Sequence, residues 1–401
     1  MKGLVNQWGY LQVLMCCTVT FTFWFSITDA FILPSSPSSL TLRQMNSFQQ
    51  TSKTSMMAPK KHLETDQPFM EPLVSTEWLE DHLGDEDLVI IDVRGEVAKT
   101  GGFDEYGAIN HEYRGLYNDY LESHIPGAIY VDWTKDIAGP DAAGVPAQLL
   151  PFEQFVTAME ERGVGEGKRV AVYDGGRLIW ATRLWWALRT YGFDAVGVLD
   201  GGWAKWAAEG RPTAGGAEAP CPPKAHARWP AGAAPRPALY ATTEDVVSRR
   251  LAPARFAPGG QDDPSLPQLV DARDARQWSG RERRARRGGR VPGALSLPYR
   301  ALLAQRGEGD VLVMQKPLEL RSTLEYLGVD PARPGIVYCN GGVASTLVLF
   351  ALHLLGQDEG WSNYDGSWNE WGNLEDAAKF PVEADEEPEG EGGERIVYTM
   401  I

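Results

Sequence analysis

Two stretches of this 401-residue chain are copies of one another. Asp200-Gly201-Gly202-Trp203-Ala204-Lys205-Trp206 reappears as Asp365-Gly366-Ser367-Trp368-Asn369-Glu370-Trp371, 165 residues further on. Val172-Tyr173-Asp174-Gly175 and Val337-Tyr338-Cys339-Asn340 align at the same spacing of 165. Upstream, His124-Ile125-Pro126-Gly127-Ala128 matches Arg290-Val291-Pro292-Gly293-Ala294 at 166, and Asp92-Val93-Arg94 matches Asp271-Ala272-Arg273 at 179. Four matches in one order mark a duplication. Each copy is far longer than a solenoid repeat and long enough to bury its own core, which predicts two tandem domains. The copies differ at one decisive place: Asp174 stands where Cys339 stands. Only the second copy carries a sulfur nucleophile.

The pattern within a copy is α/β. Leu88-Val89-Ile90-Ile91-Asp92 and Arg169-Val170-Ala171-Val172-Tyr173 read as strands buried on both faces, and Ala195–Asp200 as a third. Between the last two, Trp180–Tyr191 has apolar residues at helical spacing. The second copy repeats this with Leu269-Val270-Asp271, Gly335-Ile336-Val337-Tyr338 and a helix over Ala344–Leu355. Alternating strand and helix predicts a parallel sheet in each domain, with helices on both faces. The expected limits are 73–213 and 239–380, joined by a Pro/Ala/Gly-rich linker at 214–238 and followed by an acidic tail at 381–401.

Charge and cysteine usage narrow the setting. The formal net charge is −16, yet residues 1–63 hold five basic side chains and one acid, which leaves about −20 on the remainder. Such a surface argues against nucleic acid as a partner. Cys16, Cys17, Cys221 and Cys339 are the four cysteines, too few for a disulfide framework. Cys221 reads as a free thiol in the linker. Residues 1–30 are laid out like a signal peptide, and 31–70 like a transit peptide, since Phe31–Leu63 is rich in Ser and Thr and lacks acids. Together they resemble the bipartite presequences of algae with secretory-route plastids. That implies plastid delivery, with mitochondrial or secretory routing as alternatives and no stable membrane association after processing.

Cys339-Asn340-Gly341-Gly342-Val343-Ala344 joins a strand end to a helix start, where chemistry collects in open α/β sheets. Glycines at 341 and 342 allow a tight turn that aims several amide N–H groups inward, and the helix start adds positive potential. Asn340, Gly341, Gly342, Val343 and Ala344 are therefore the expected anion-binding loop. Cys339 is the expected nucleophile, able to accept a sulfur atom, hold it as a persulfide and pass it on. Nothing in the sequence calls for a cofactor or a metal.

These motifs resemble those of tandem-domain rhodanese-type sulfurtransferases, the thiosulfate and 3-mercaptopyruvate sulfurtransferases, over residues 73–380. The resemblance rests on the His124–Ala128, Leu199–Trp203, Cys339–Ala344 and Tyr364–Trp368 segments. It implies an inactive first domain, a persulfide cysteine in the second, a small anionic sulfur donor, and a thiol, cyanide or sulfur-carrier acceptor. It also implies an arginine of the inactive domain in the cleft, a position that Arg183 fits; the alternative for Arg183 is an ion pair on the helix surface. Members using thiosulfate tend to have basic residues after the cysteine, and members using mercaptopyruvate tend to have Gly-Ser-Gly. This chain has Asn340-Gly341-Gly342. The missing hydroxyl at 341 tilts the expectation to thiosulfate, with 3-mercaptopyruvate as the alternative.

Other readings fit less well. A phosphatase or arsenate reductase of related fold needs an arginine six residues after its cysteine, where Ser345 stands here. A non-catalytic docking module would not need Cys339. The Arg281–Arg290 run reads as a solvated loop or as an electrostatic guide for the donor. Glu370 and Trp371 are expected to pack and cap, and His124 to be structural.

Overall fold

A computed structural model of the chain describes residues 68–216, 226–254, 263–306 and 311–385. The signal-like segment, the transit-like segment as far as residue 67, Cys221 and the acidic tail beyond residue 385 lie outside the described residues. No helix of the described residues is long and apolar enough to cross a membrane.

Each copy builds a five-stranded parallel sheet flanked by helices. The first runs in the order Leu73–Val74, Val196–Leu199, Arg169–Tyr173, Leu88–Asp92, Ile129–Tyr130. The second runs Tyr240–Ala241, Trp361–Tyr364, Gly335–Tyr338, Gln268–Asp271, Leu295–Ser296. The interior strands Leu88–Asp92, Arg169–Tyr173, Val196–Leu199, Gln268–Asp271 and Gly335–Tyr338 were read from sequence, because strands buried on both faces leave apolar runs, whereas Trp361–Tyr364, with Ser362 and Asn363 at its centre, was not. The edge strands have two residues each, too short to show any period.

The duplication extends to individual hydrogen bonds. Val93 N donates to Tyr173 O at 2.9 Å, and Ala272 N to Tyr338 O at 2.8 Å. The Tyr173 hydroxyl accepts from Ile125 N at 3.2 Å, and that of Tyr338 from Val291 N at 3.1 Å. Arg94 pairs with Asp92 and Arg273 with Asp271, all four buried. Trp203 N donates to Asp174 O at 2.8 Å, and Trp368 N to Cys339 O at 3.1 Å. Asp174 and Cys339 thus end equivalent central strands.

The two domains meet through the helices Ile179–Thr190 and Ser345–Leu354. Trp185 meets Phe350 edge-on at 4.9 Å, and the Thr182 and Thr346 hydroxyls lie 3.0 Å apart. Every residue of the first helix except Arg189 is buried, which explains its apolar circumference: one side covers its own sheet and the other faces the second domain. A further element was not legible in the sequence. Gly95–Phe103 and Ile109–Gly115 form an antiparallel hairpin of the first domain. It reaches the second domain, where Ile109 N donates to Arg283 O at 3.1 Å.

Gly335 shows how closely the second core is filled. A Cβ there would lie 2.3 Å from Cζ3 of the buried Trp361. Gly335→Ala is therefore expected to cost about 1–3 kcal/mol through overpacking. Thermal unfolding checks this, and an unchanged Tm would show that the indole can yield.

Candidate active site

Cys339 follows the strand Gly335–Tyr338 and is 4% exposed, with a free thiol. Ser345 Oγ lies 3.6 Å from its sulfur but 2.6 Å from Asn363 Oδ1. One hydroxyl proton serves both acceptors, and the shorter bond takes most of it. Ser367 Oγ accepts from the amides of Cys339 and Gly342, each at 3.1 Å, and donates to Tyr364 O at 2.7 Å. The amides of Asn340, Gly341, Val343 and Ala344 have no acceptor among the described residues.

The first domain demonstrates what such a turn does. The Asp174 carboxylate accepts from the amides of Gly176, Leu178, Trp180 and Ala181 at 2.8–3.4 Å. It is fully buried, and among the described residues no cation pairs with it. Burial pushes this carboxyl above its ordinary range, and the four amides oppose the shift. A negative group at this strand end is held by main-chain dipoles alone.

Both glycines of the active loop are required, for different reasons. Gly342 has φ +69°, and a Cβ there would lie 2.5 Å from Asp365 Oδ1. Gly341 is a point of close approach instead: its Cβ would lie 2.7 Å from Asn369 Nδ2 and 3.1 Å from the Tyr113 hydroxyl. Tyr113 belongs to the hairpin of the first domain, and its hydroxyl accepts from Asn369 Nδ2 at 2.8 Å. Asn340 is anchored through Nδ2 to Gln277 Oε1 at 2.9 Å, while its Oδ1 is buried without a partner.

Arg183 is fully buried, not on a helix surface. Its guanidinium pairs with Asp365, donates to Gly342 O at 3.0 Å and to Ala147 O at 3.0 Å, and lies 4.7 Å from the Trp186 ring. Asp365 in turn accepts from Leu149 N at 2.7 Å. An arginine of the first domain thus grips a carbonyl of the Cys339–Ala344 loop.

The Arg281–Arg290 run is not simply a solvated loop. Arg287 donates to Phe380 O at 2.7 Å, and Arg290 stacks 3.6 Å above Trp278 while pairing with Asp385. Arg286 pairs with Glu375. Arg284 differs from these: its Nε and Nη2 are buried and without partners. Burial and the Arg284 charge hold the His111 imidazole below its ordinary value, and burial raises the Tyr113 phenol against the opposing pull of Arg284. Arg273, bound to Asp271, adds a buried guanidinium held above its ordinary value, because Asp271 outweighs the desolvation that would lower it.

Tyr113, Arg284, Asp365, Ser367 and Asn369 were not singled out by sequence. One signal existed for Ser367. Gly202 occupies its place in the first copy with φ +54°, and Ser367 keeps the left-handed conformation at φ +51°. A serine retained where glycine is unstrained implies that its hydroxyl is needed. Glu370 and Trp371 pack, as expected: Tyr364 bonds to Glu370 at 3.1 Å and Trp371 is buried. His124 is buried too, stacked on Tyr120 at 4.1 Å.

Comparison with known proteins agrees with this geometry. Residues 75–209 and 259–374 each match the Rhodanese-like domain, and the chain belongs to that family. It is a sulfurtransferase of the rhodanese type, its two copies being the tandem domains of that fold. The 3-mercaptopyruvate sulfurtransferase of Escherichia coli K12 is 32% identical over 315 residues, covering 77% of this chain and 98% of that protein. The crystal structure of E. coli SseA, a 3-mercaptopyruvate sulfotransferase, superposes with a TM-score of 0.57 at 32% identity, over 74% of this chain and 98% of that one. The mitochondrial thiosulfate/3-mercaptopyruvate sulfurtransferase 1 of Arabidopsis thaliana is 28% identical over 331 residues, 78% of each chain. Its mitochondrial name matches the alternative destination, and the plastid reading finds no support among these relatives.

Ser367→Ala should leave the amides of Cys339 and Gly342 unsatisfied, at about 1–3 kcal/mol for each buried group. A lowered Tm together with slower sulfur loading of Cys339 is the expected result, measured by calorimetry and mass spectrometry. A variant with native Tm and rate would show that Ser367 does not organise the loop.

Proposed function

We propose that the protein takes a sulfur atom from 3-mercaptopyruvate, holds it as a persulfide on Cys339, and passes it to a thiophilic acceptor. The observation that carries this reading is the sulfur at a strand end whose duplicate holds an anion by amides alone. The Cys339 thiolate attacks the donor sulfur, and the carbon–sulfur bond breaks. The electron pair passes to the carbon, which takes up the thiol proton, so that pyruvate leaves. A thiol, cyanide or sulfur-carrier acceptor then removes the outer sulfur and the thiolate returns.

In this reading Asn340, Gly341, Gly342, Val343 and Ala344 form the cradle of the donor and the persulfide. Arg183 serves that cradle by fixing Gly342 instead of touching the donor, since its terminal nitrogens are already engaged. Arg284 meets the donor's carboxylate, for its buried and unpartnered N–H groups are otherwise uncompensated. Mercaptopyruvate is put before the thiosulfate expected from the missing hydroxyl at 341 because the 32%-identical E. coli relative is named for it; thiosulfate is the second reading, supported by that missing hydroxyl and compatible with the Arabidopsis relative, whose name carries both donors. There the sulfur–sulfur bond breaks and sulfite leaves with the electron pair. For the presequence, the same relative favours mitochondrial import over the plastid.

Incubation with each donor separately, followed by intact-mass measurement, tests the proposal. Wild type is expected to gain one sulfur atom, faster from mercaptopyruvate, and to lose it to cyanide, whereas Cys339→Ser stays unmodified. Arg284→Gln should raise the KM for mercaptopyruvate about 10–100-fold, as the loss of a charge-assisted hydrogen bond implies. An unmodified wild type with both donors would refute the mechanism, and an unchanged KM would refute the role of Arg284.

A further inference from the structure

The polar groups around Cys339 include one whose hydrogen has nowhere to go. The Tyr113 hydroxyl accepts from Asn369 Nδ2 at 2.8 Å, and its own hydrogen has no acceptor among the described residues. The ring is fixed from two sides, edge-on to Trp133 at 5.5 Å and to His111 at 5.3 Å. Trp133 is buried and donates from its indole nitrogen to Arg114 O at 3.0 Å, so the hairpin that carries Tyr113 is tied down beside the ring. The oxygen stands 3.1 Å from where a Cβ on Gly341 would be, at the centre of the cysteine loop. Burial holds this phenol above its ordinary pKa, which keeps its proton in place.

We propose that Tyr113, delivered by a hairpin of the domain that lacks the nucleophile, is a donor-contacting residue that hydrogen-bonds the oxygen of the departing group while sulfur moves to Cys339. The proposal rests on the persulfide reading above and deepens it. Each candidate leaving group has an oxygen on which negative charge grows, the enolate oxygen of pyruvate or an oxygen of sulfite. The O–H bond stays intact; the hydroxyl stabilises charge by orientation alone, as a preorganised donor does. Asn369 donates to the same oxygen and sharpens its aim. The inactive domain then contributes a chemical group to the cleft as well as a wall.

The test is single-turnover sulfur loading, followed by intact mass after rapid quench, with mercaptopyruvate and with thiosulfate. Tyr113→Phe keeps the ring and should retain the wild-type Tm, while loading falls at least about tenfold. The loss is expected in the loading rate at saturating donor and not in the half-saturating donor concentration, a split that a purely structural role for Tyr113 would not give. Loading of Tyr113→Phe within twofold of wild type, or a loss carried wholly by the half-saturating donor concentration, would overturn the proposal. A wild-type protein that takes up no sulfur would instead overturn the persulfide reading itself.

Discussion

The buried pairing of Arg183 with Asp365 is the constraint on which the site depends. Each residue comes from a different domain, and both are fully buried. Removing two charges from water is costly, and the cost is met only where the geometry is good and the remaining donors are satisfied. Here Gly342 O and Ala147 O take other guanidinium hydrogens and Leu149 N binds the second carboxylate oxygen, while Arg183 Nε alone of that side chain's nitrogens is buried without a partner. The pair therefore joins three segments: the active loop, the Ala147–Leu149 segment and the end of the strand Trp361–Tyr364. Loss of either partner would leave the other charge stranded at the floor of the cleft.

Duplication explains how such a site can be built from two similar halves. The scaffold is held in both by the same tyrosine, aspartate and arginine bonds behind the central strands. Specialisation required few changes. In the first copy a carboxylate fills the amide cradle permanently, and Gly202 leaves its turn without a side chain. In the second copy a sulfur leaves the cradle open, and Ser367 ties its base. The first half has a carboxylate at its own strand end, while its helix and hairpin face the loop of the second.

Much of this was legible in the sequence because it is local. Central strands showed as apolar runs, and Cys339–Ala344 showed its turn through adjacent glycines. What escaped was set by distance or by shape. Tyr113 and Asn369 are 256 positions apart, and no local pattern signals that they meet. Arg183 lay in a helix whose apolar circumference announces burial but not which neighbour does the burying. Arg284 was hidden among nine other residues of a basic run, where only the tertiary environment separates cations anchored through their terminal nitrogens from one whose Nε and Nη2 are both buried without partners. The serine at 367 alone carried a readable sign, because it stands where its duplicate has glycine.

The most direct measurement is a crystal structure of the protein after exposure to its sulfur donor. Added density is expected on Cys339 Sγ, with the outer sulfur within hydrogen-bonding distance of the loop amides from Asn340 to Ala344. Density on no cysteine, or an outer sulfur turned away from amides that point elsewhere, would contradict it.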